Sequence, residues 1–199
     1  MGIDTMLVPT VLFGRHPGLG APGGGPVGIE IFEGMLAGVE AAGVFGRLDA
    51  AVTGYFACPA QIAAAARALD AIRALNAKAW VIVDPIMGDE GVGFYVPEAV
   101  ADALAADLVP RADLVAPNAW ELERLTGRMV SDPATALDAA RSLGRPVLAS
   151  SVEVGTNIGV LYADAGQAWL ASHPRQADAP RGTGDRLTAL FAGAVLGGD

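Results

Sequence analysis

Lysine is almost missing from this chain: Lys78 is the one lysine among 13 basic residues, the rest being arginine. Acidic residues number 22, which sets the net charge at −9. A chain so poor in positive charge is unsuited to general nucleic-acid or anionic-membrane binding, whose affinity rests on Lys and Arg. Neither partner is expected. Arginine suits fixed contacts to phosphate or carboxylate better than diffuse attraction. Cysteine is also nearly absent. Cys58 stands alone, which excludes an intrachain disulfide and a cysteine metal cluster and leaves a buried structural thiol as its expected role. No apolar run has the length of a membrane span. The run Met6 to Phe13 is broken by Pro9 and no positive charge precedes it, so it does not read as a signal peptide. The cytoplasm is the expected compartment. What is abundant is apolar: 52% of residues are hydrophobic against 18% charged, enough for one domain with a sizeable core. Beyond an alanine bias there is no repeat or low-complexity tract.

Along the chain, Met6–Phe13 reads as a short buried strand, and Gly14–Gly28 as a long Gly- and Pro-rich loop carrying Arg15 and His16. His16 is either a substrate contact or a surface histidine. Ile29, Phe32, Leu36 and Val39 form a helical stripe over residues 29–42. Strands are predicted at 48–55, 79–84, 113–117 and 146–150. Helices are predicted at 62–75, with Pro59 in its first turn, at 118–126, and at 133–144 capped by Ser131 or Asp132. Residues 158–163 and 167–172 read as a hairpin around Asp164. A last apolar helix follows Asp185. Nearly all-apolar strands alternating with helices indicate an α/β fold, a mostly parallel central sheet covered on both faces in a three-layer α/β/α sandwich.

In open sheets of this kind ligands gather beyond the carboxyl ends of the strands. Tyr55, Asp84, Asn118 and the pair Ser150 and Ser151 fall there. Arg181-Gly182-Thr183-Gly184-Asp185 opens the last helix, and glycines at a helix start let several N–H groups converge on an anion. An aspartate there would be repelled by such a ligand unless it has work to do. Acting as base for a hydroxyl that attacks a phosphoryl group would be such work; the alternative is a Gly-rich loop capped by Asp. Asp84-Pro85-Ile86-Met87-Gly88-Asp89 places two carboxylates just past a strand, and Asn118 and Glu121 lie on one face of a helix start. Mg²⁺ takes oxygen ligands and few protein carboxylates when substrate phosphates also bind it, so Asp84, Asp89 and Glu121 suffice for one or two ions. The competing readings are a turn-forming Asp-Pro and a capping carboxylate three residues into a helix.

Asp-Pro-Ile-Met-Gly-Asp, Pro117-Asn-Ala-Trp-Glu-Leu-Glu-Arg-Leu-Thr-Gly127 and Gly182-Thr-Gly-Asp185 occur in the order and spacing of the ribokinase-like superfamily. With Tyr95-Val96-Pro97 and Ser150-Ser151, the chain resembles the pyridoxal kinase branch over residues 3–197. The resemblance implies ATP and Mg²⁺, with a monovalent cation such as K⁺ left open, and transfer of phosphate to the hydroxymethyl group of pyridoxal or a related B6 vitamer. It implies Asp185 as base and the amides of Gly182, Thr183 and Gly184 around the transferred phosphoryl group. Asp84, Asp89 and Glu121 would organise metal and phosphates. Tyr55, Phe13, Arg15 and His16 would line the pyridine pocket. Asn118, Glu121, Ser150, Ser151 and Tyr95 would serve the nucleotide side. A homodimer is implied as well.

Against the family pattern, an initial strand–helix unit and a tail after the last helix are lacking, so an incomplete single domain over 1–199 is expected. Ala116 replaces a hydroxyl-bearing residue, and Pro17 stands where a threonine is common. Hydroxymethylpyrimidine/phosphomethylpyrimidine kinase is the nearest enzyme alternative. A catalytically incomplete kinase fragment is the non-enzymatic one. A sugar kinase is disfavoured, since no polar cluster for several ring hydroxyls stands out.

Overall fold

The computed structural model describes residues 3–176 and 179–198. In chain order its elements are β1 (Val11–Phe13), β2 (Gly24–Pro26), α1 (Ile29–Ala41), β3 (Ala50–Thr53), α2 (Pro59–Leu75), β4 (Trp80–Val83), β5 (Gly88–Asp89), β6 (Gly93–Phe94), α3 (Glu98–Ala103), β7 (Leu114–Val115), α4 (Ala119–Thr126), α5 (Pro133–Ser142), β8 (Val147–Val154), β9 (Asn157–Ala163), β10 (Ala168–Pro174) and α6 (Thr183–Gly197). Six strands form the central sheet in the order β10-β9-β8-β7-β4-β3. β3, β4, β7 and β8 run parallel, whereas β8, β9 and β10 are antiparallel to one another in turn.

Alternation along each strand divides the apolar side chains between two faces. From β4, Val81 and Val83 enter a core shared with α1, α2 and α3, while Ile82 points the other way. β8 and β9 send Val147, Ala149, Leu161 and Ala163 against α4 and α5. The opposite face is thinner: Ile82, Leu114, Ala116 and Leu148 pack under Ala192 of α6, flanked by Leu187 and Phe191. Tyr162 stacks on both Phe191 and Trp169 there, with centroids 5.8 and 5.4 Å apart. The α/β/α sandwich with a mostly parallel sheet is therefore present, and its second helical layer among the described residues is α6.

Local chemistry explains the element boundaries. Pro59 occupies the first turn of α2, where the missing N–H would have had no helical partner. Asp132 caps α5, its Oδ1 accepting from the Thr135 amide at 2.8 Å. The β9–β10 turn is held by Asp164, whose Oδ1 accepts from the amides of Gly166 and Gln167 at 2.8 and 2.7 Å.

Several expectations are corrected. The run Met6–Phe13 is not a buried strand. Only Val11–Phe13 is extended, in a two-stranded ribbon with β2 outside the main sheet, and Met6 and Leu7 are 57% and 85% exposed. Apolar composition fixes a preference for burial but not which surface arrives to cover it. β3 lies at the sheet edge with Val52 half exposed, so that strand is covered on one face only. The expected hairpin around Asp164 is present as β9 and β10; it extends the sheet through β8, and every residue of β10 is exposed. Cys58 is half-buried at the start of α2 rather than enclosed. The helical stretch from Glu98, continuing through a π turn and a 3-10 turn to Arg111, has no counterpart in the sequence reading. Its Pro97 and Pro110 punctuate too short a run for a clear periodic signal.

One buried side chain, Gln61, ties the base of the ribbon of β1 and β2 to the core. Gln61 is fully buried; its Nε2 donates to the carbonyls of Thr10 and Val27, both at 2.9 Å, and its Oε1 accepts from the Ala57 amide at 2.9 Å. Gln61→Leu keeps the volume but strands the Val27 carbonyl and the Ala57 amide, while the Thr10 carbonyl keeps the Val27 amide at 2.9 Å. Each unsatisfied buried group costs about 1–3 kcal/mol, so the variant should lose about 2–4 kcal/mol in urea unfolding. A loss below about 0.5 kcal/mol would show that the ribbon is held by something else.

Candidate active site

The parallel strands β3, β4, β7 and β8 all end on the same rim, and the polar residues singled out in the sequence gather there. Asp84 follows β4 and is 8% exposed. Its Oδ2 accepts from the Thr188 hydroxyl at 2.7 Å. Thr188 lies one turn after Asp185 on α6 and is itself buried, so this bond pins the start of α6 to the end of β4. Sequence reasoning missed Thr188; its spacing of three from Asp185 was the available signal. Burial raises the Asp84 carboxyl to about 6, the Thr188 bond opposes the shift, and the Asp185 charge adds to it.

α6 opens on Gly182 with φ of 83°, a left-handed conformation that glycine adopts without strain. No side chain caps this end among the described residues. The amides of Thr183, Gly184 and Asp185 therefore have no intrahelical acceptor, and these residues are exposed. The geometry supports an anion-binding helix start, with the Asp185 carboxylate beside it.

Asn118 and Glu121 have positions more specific than the sequence could say. They form a capping box: Asn118 Oδ1 accepts from the Glu121 amide at 2.8 Å, and Glu121 Oε2 accepts from the Asn118 amide at 2.9 Å. Glu121 Oε1 reaches across to accept from the amides of Met87 and Gly88, at 2.8 and 3.3 Å. Asn118 Nδ2 donates to the Gly88 carbonyl at 2.8 Å. Together they clamp the segment after Asp84 onto the start of α4. Trp120 closes the clamp over Gly88, where an added Cβ would lie 2.6 Å from the indole, and it packs edge-on against Phe94 at 5.0 Å. Burial raises the Glu121 carboxyl to about 8, against the pull of the three amides.

The other predicted residues are more dispersed. Tyr95 is partly exposed and close to Asp89; burial and that carboxylate push its phenol to about 12. Asp89 also accepts from its neighbour's amide, Glu90, at 2.8 Å. Ser150 bridges to Asn118 across the sheet. Ser151 sits in a bulge of β8 with φ of 60°, the one positive φ among the described non-glycine residues. Such strain is rare outside functional positions. On the ribbon side, Tyr55 packs partly into the main core and its carbonyl accepts from the Thr10 hydroxyl at 2.7 Å. Phe13 is half-buried at the end of β1. Arg15 Nε donates to the Ala21 carbonyl at 2.7 Å, and His16 Nδ1 accepts from the Gly18 amide at 3.0 Å, so both shape the loop in which they lie.

Among the described residues no three His, Cys, Asp or Glu side chains converge as a metal cage, so Asp84, Asp89 and Glu121 do not form one by themselves. Among the described residues Asp84 Oδ1 receives no protein donor and is open to a cation, whereas both Glu121 oxygens already receive amides.

A mixed sheet whose strand ends meet a Gly-Thr-Gly-Asp helix start defines a ribokinase-like protein. The phosphomethylpyrimidine kinase family model matches residues 44–199. Pyridoxal kinase PdxY of Deinococcus radiodurans is 35% identical, over 98% of this chain and 70% of its own length. A pyridoxine/pyridoxal/pyridoxamine kinase of Bordetella avium is 38% identical over the same shares. Among solved structures, pyridoxal kinase from Entamoeba histolytica superposes with a TM-score of 0.88 at 26% identity, covering 95% of this chain and 70% of that one. Pyridoxal kinase from Leishmania donovani, in complex with ADP and pyridoxamine, gives 0.85 at 27%, covering 94% and 68%. The chain belongs to the phosphomethylpyrimidine kinase family, in the pyridoxal kinase branch of the ribokinase-like superfamily. No described helix is long and apolar enough to cross a membrane.

The two buried carboxyls give stability a definite pH dependence. Both have folded values above the ordinary carboxyl range, about 6 for Asp84 and about 8 for Glu121. The native state therefore holds more protons than the unfolded chain between roughly pH 4.3 and 8, and stability falls as pH rises through that window. In chelator-containing buffer, urea midpoints should decline from about pH 5 to 8, and Glu121→Gln should flatten the decline. A midpoint rising over that window in the parent chain would contradict these assignments.

Proposed function

We propose that this chain is an ATP-dependent kinase that phosphorylates the hydroxymethyl group of pyridoxal or a related B6 vitamer. The observation that carries the reading is the Asp185 carboxylate at the uncapped start of α6, pinned beside buried Asp84 through Thr188. Phosphoryl transfer needs positioning and charge stabilisation more than covalent help from the protein. Asp185 accepts the proton of the attacking hydroxyl. The oxygen–phosphorus bond to the vitamer forms as the bond from the γ-phosphorus to the departing ADP oxygen breaks. N–H groups of the Gly182–Gly184 turn donate to the oxygens on which charge develops. Mg²⁺ supplies charge neutralisation between the phosphates when bound, with Asp84 as its protein carboxylate and Asp89 and Glu121 in supporting positions. Glu121 and Asn118 hold the Met87–Gly88 backbone so that Asp84 stays in place.

On this reading Phe13, Arg15, His16 and Tyr55 line the pyridine side, and Ser150, Ser151, Tyr95 and Asn118 the nucleotide side. Complexes of the Leishmania donovani kinase with ADP and pyridoxamine or pyridoxine support the two ligand classes. A homodimer in the cytoplasm, and a monovalent-cation requirement, belong to the same proposal. The match to the phosphomethylpyrimidine kinase model favours a second reading, in which the acceptor is hydroxymethylpyrimidine.

Asp185→Ala should lower kcat on pyridoxal by about 100-fold or more while nucleotide affinity changes less than about threefold. Parallel assays on pyridoxal, pyridoxine, pyridoxamine and hydroxymethylpyrimidine with ATP and Mg²⁺ decide the acceptor. Normal turnover in Asp185→Ala would sink the mechanism. Nucleotide binding without turnover on any acceptor would favour the catalytically incomplete form.

A further inference from the structure

Any polyphosphate bound at this rim meets carboxylates first. Asp84 and Asp185 repel one another, Asp84 also raises Glu121, and Asp89 lies against Tyr95. A bound nucleotide adds several negative charges to that set, so cationic side chains have to face it. Arg181 is placed for this. It immediately precedes the Gly182 turn, and it is close enough to Tyr95 for its charge to oppose the upward shift of that phenol. Its side chain lies close against Gly18, in the turn Pro17–Leu19 between β1 and β2. A Cβ built at Gly18 would stand 2.6 Å from the Arg181 Nε, 2.7 Å from its Cδ and 2.9 Å from its Cζ. Glycine at position 18 thus leaves room for the guanidinium, and the contact joins the ribbon to the anion loop. Among the described residues the guanidinium has no carboxylate partner, although other arginines of the chain, such as Arg73, Arg111 and Arg124, do.

We infer that Arg181 is a phosphate-contacting residue of this site, its guanidinium held between the Pro17–Leu19 turn and the Gly182–Gly184 loop to meet the transferred phosphoryl group. The inference rests on the kinase reading above. A planar guanidinium presents several donors in a fixed fork suited to phosphate oxygens, and an ammonium does not reproduce it.

The test compares Arg181→Ala, Arg181→Lys, Gly18→Ala and the Arg181→Ala/Gly18→Ala double variant. Calorimetry measures binding of Mg²⁺ complexes of a non-hydrolysable ATP analogue and of ADP, and steady-state assays give kcat and KM. Arg181→Ala should weaken the triphosphate analogue by about tenfold or more, as expected for a lost charge-assisted contact, and ADP by less than about threefold. Turnover should fall by about 100-fold and be partly restored by added guanidinium ion, while Arg181→Lys recovers little. Gly18→Ala should show the same defects in weaker form, since the guanidinium must move aside, and should add nothing on top of Arg181→Ala. Equal loss of both nucleotides, no rescue, or additive single variants would overturn the role of Arg181 while leaving the kinase reading intact. A parent chain that binds neither nucleotide would overturn both.

Discussion

The hydrogen bond from Thr188 to Asp84, 2.7 Å long and spanning 104 positions of sequence, is the contact on which the site depends. It is made inside the molecule, where a lost partner is costly, and it joins the end of a central strand to the first turns of the last helix. α6 has few other anchors. The core beneath it is the smallest of the three, contributed mainly by Ile82, Leu114, Leu148 and Ala192. Hydrophobic packing of that size holds a helix against a sheet but does not fix its rotation or axial position to the tolerance that catalysis needs. The Thr188 hydroxyl does, and Asp185 sits one turn earlier on the same helix.

A second clamp acts on the other side of Asp84. Glu121 gathers three amides from two segments, and Asn118 returns a donor to the Gly88 carbonyl. Burying a carboxyl at this depth raises its proton affinity, and the amides are what make the site tolerable. The functional rim is thus less stable at neutral pH than its packing alone would make it. Such a cost is common where charge must be held ready for a ligand.

The ribbon of β1 and β2 completes the enclosure without belonging to the sheet. Gln61 fixes its base through two carbonyls, and Arg181 lies over its tip at Gly18. The tip is exposed, and Arg15 and His16 hold it by bonds within the loop.

Strand ends alone located Asp84 and Asn118 on one rim, because apolar strands of a parallel sheet deliver their following residues to the same edge; the Gly182–Asp185 turn, which follows the antiparallel strand β10, was joined to them only by the family resemblance. The α/β class, the caps of α4 and α5 and the β9–β10 turn were legible for a related reason: each is set by side chains a few positions apart. What sequence could not decide was everything that depends on distant segments meeting. The run Met6–Phe13 looked buried, yet no surface covers its beginning. Glu121 looked equally able to bind a metal or cap a helix; its bond to the Asn118 amide is the local cap, and only the arrival of the Met87 and Gly88 amides occupied its other oxygen. The spacing of Thr188 from Asp185 put both on one face of α6 but could not name Asp84 as its partner until α6 was laid on β4, and Arg181 acquired its significance from Gly18, far away in the chain. Local chemistry is written in neighbouring residues. The partners of a buried polar group are chosen by tertiary packing, since desolvation makes those partners matter only once the chain has closed around them.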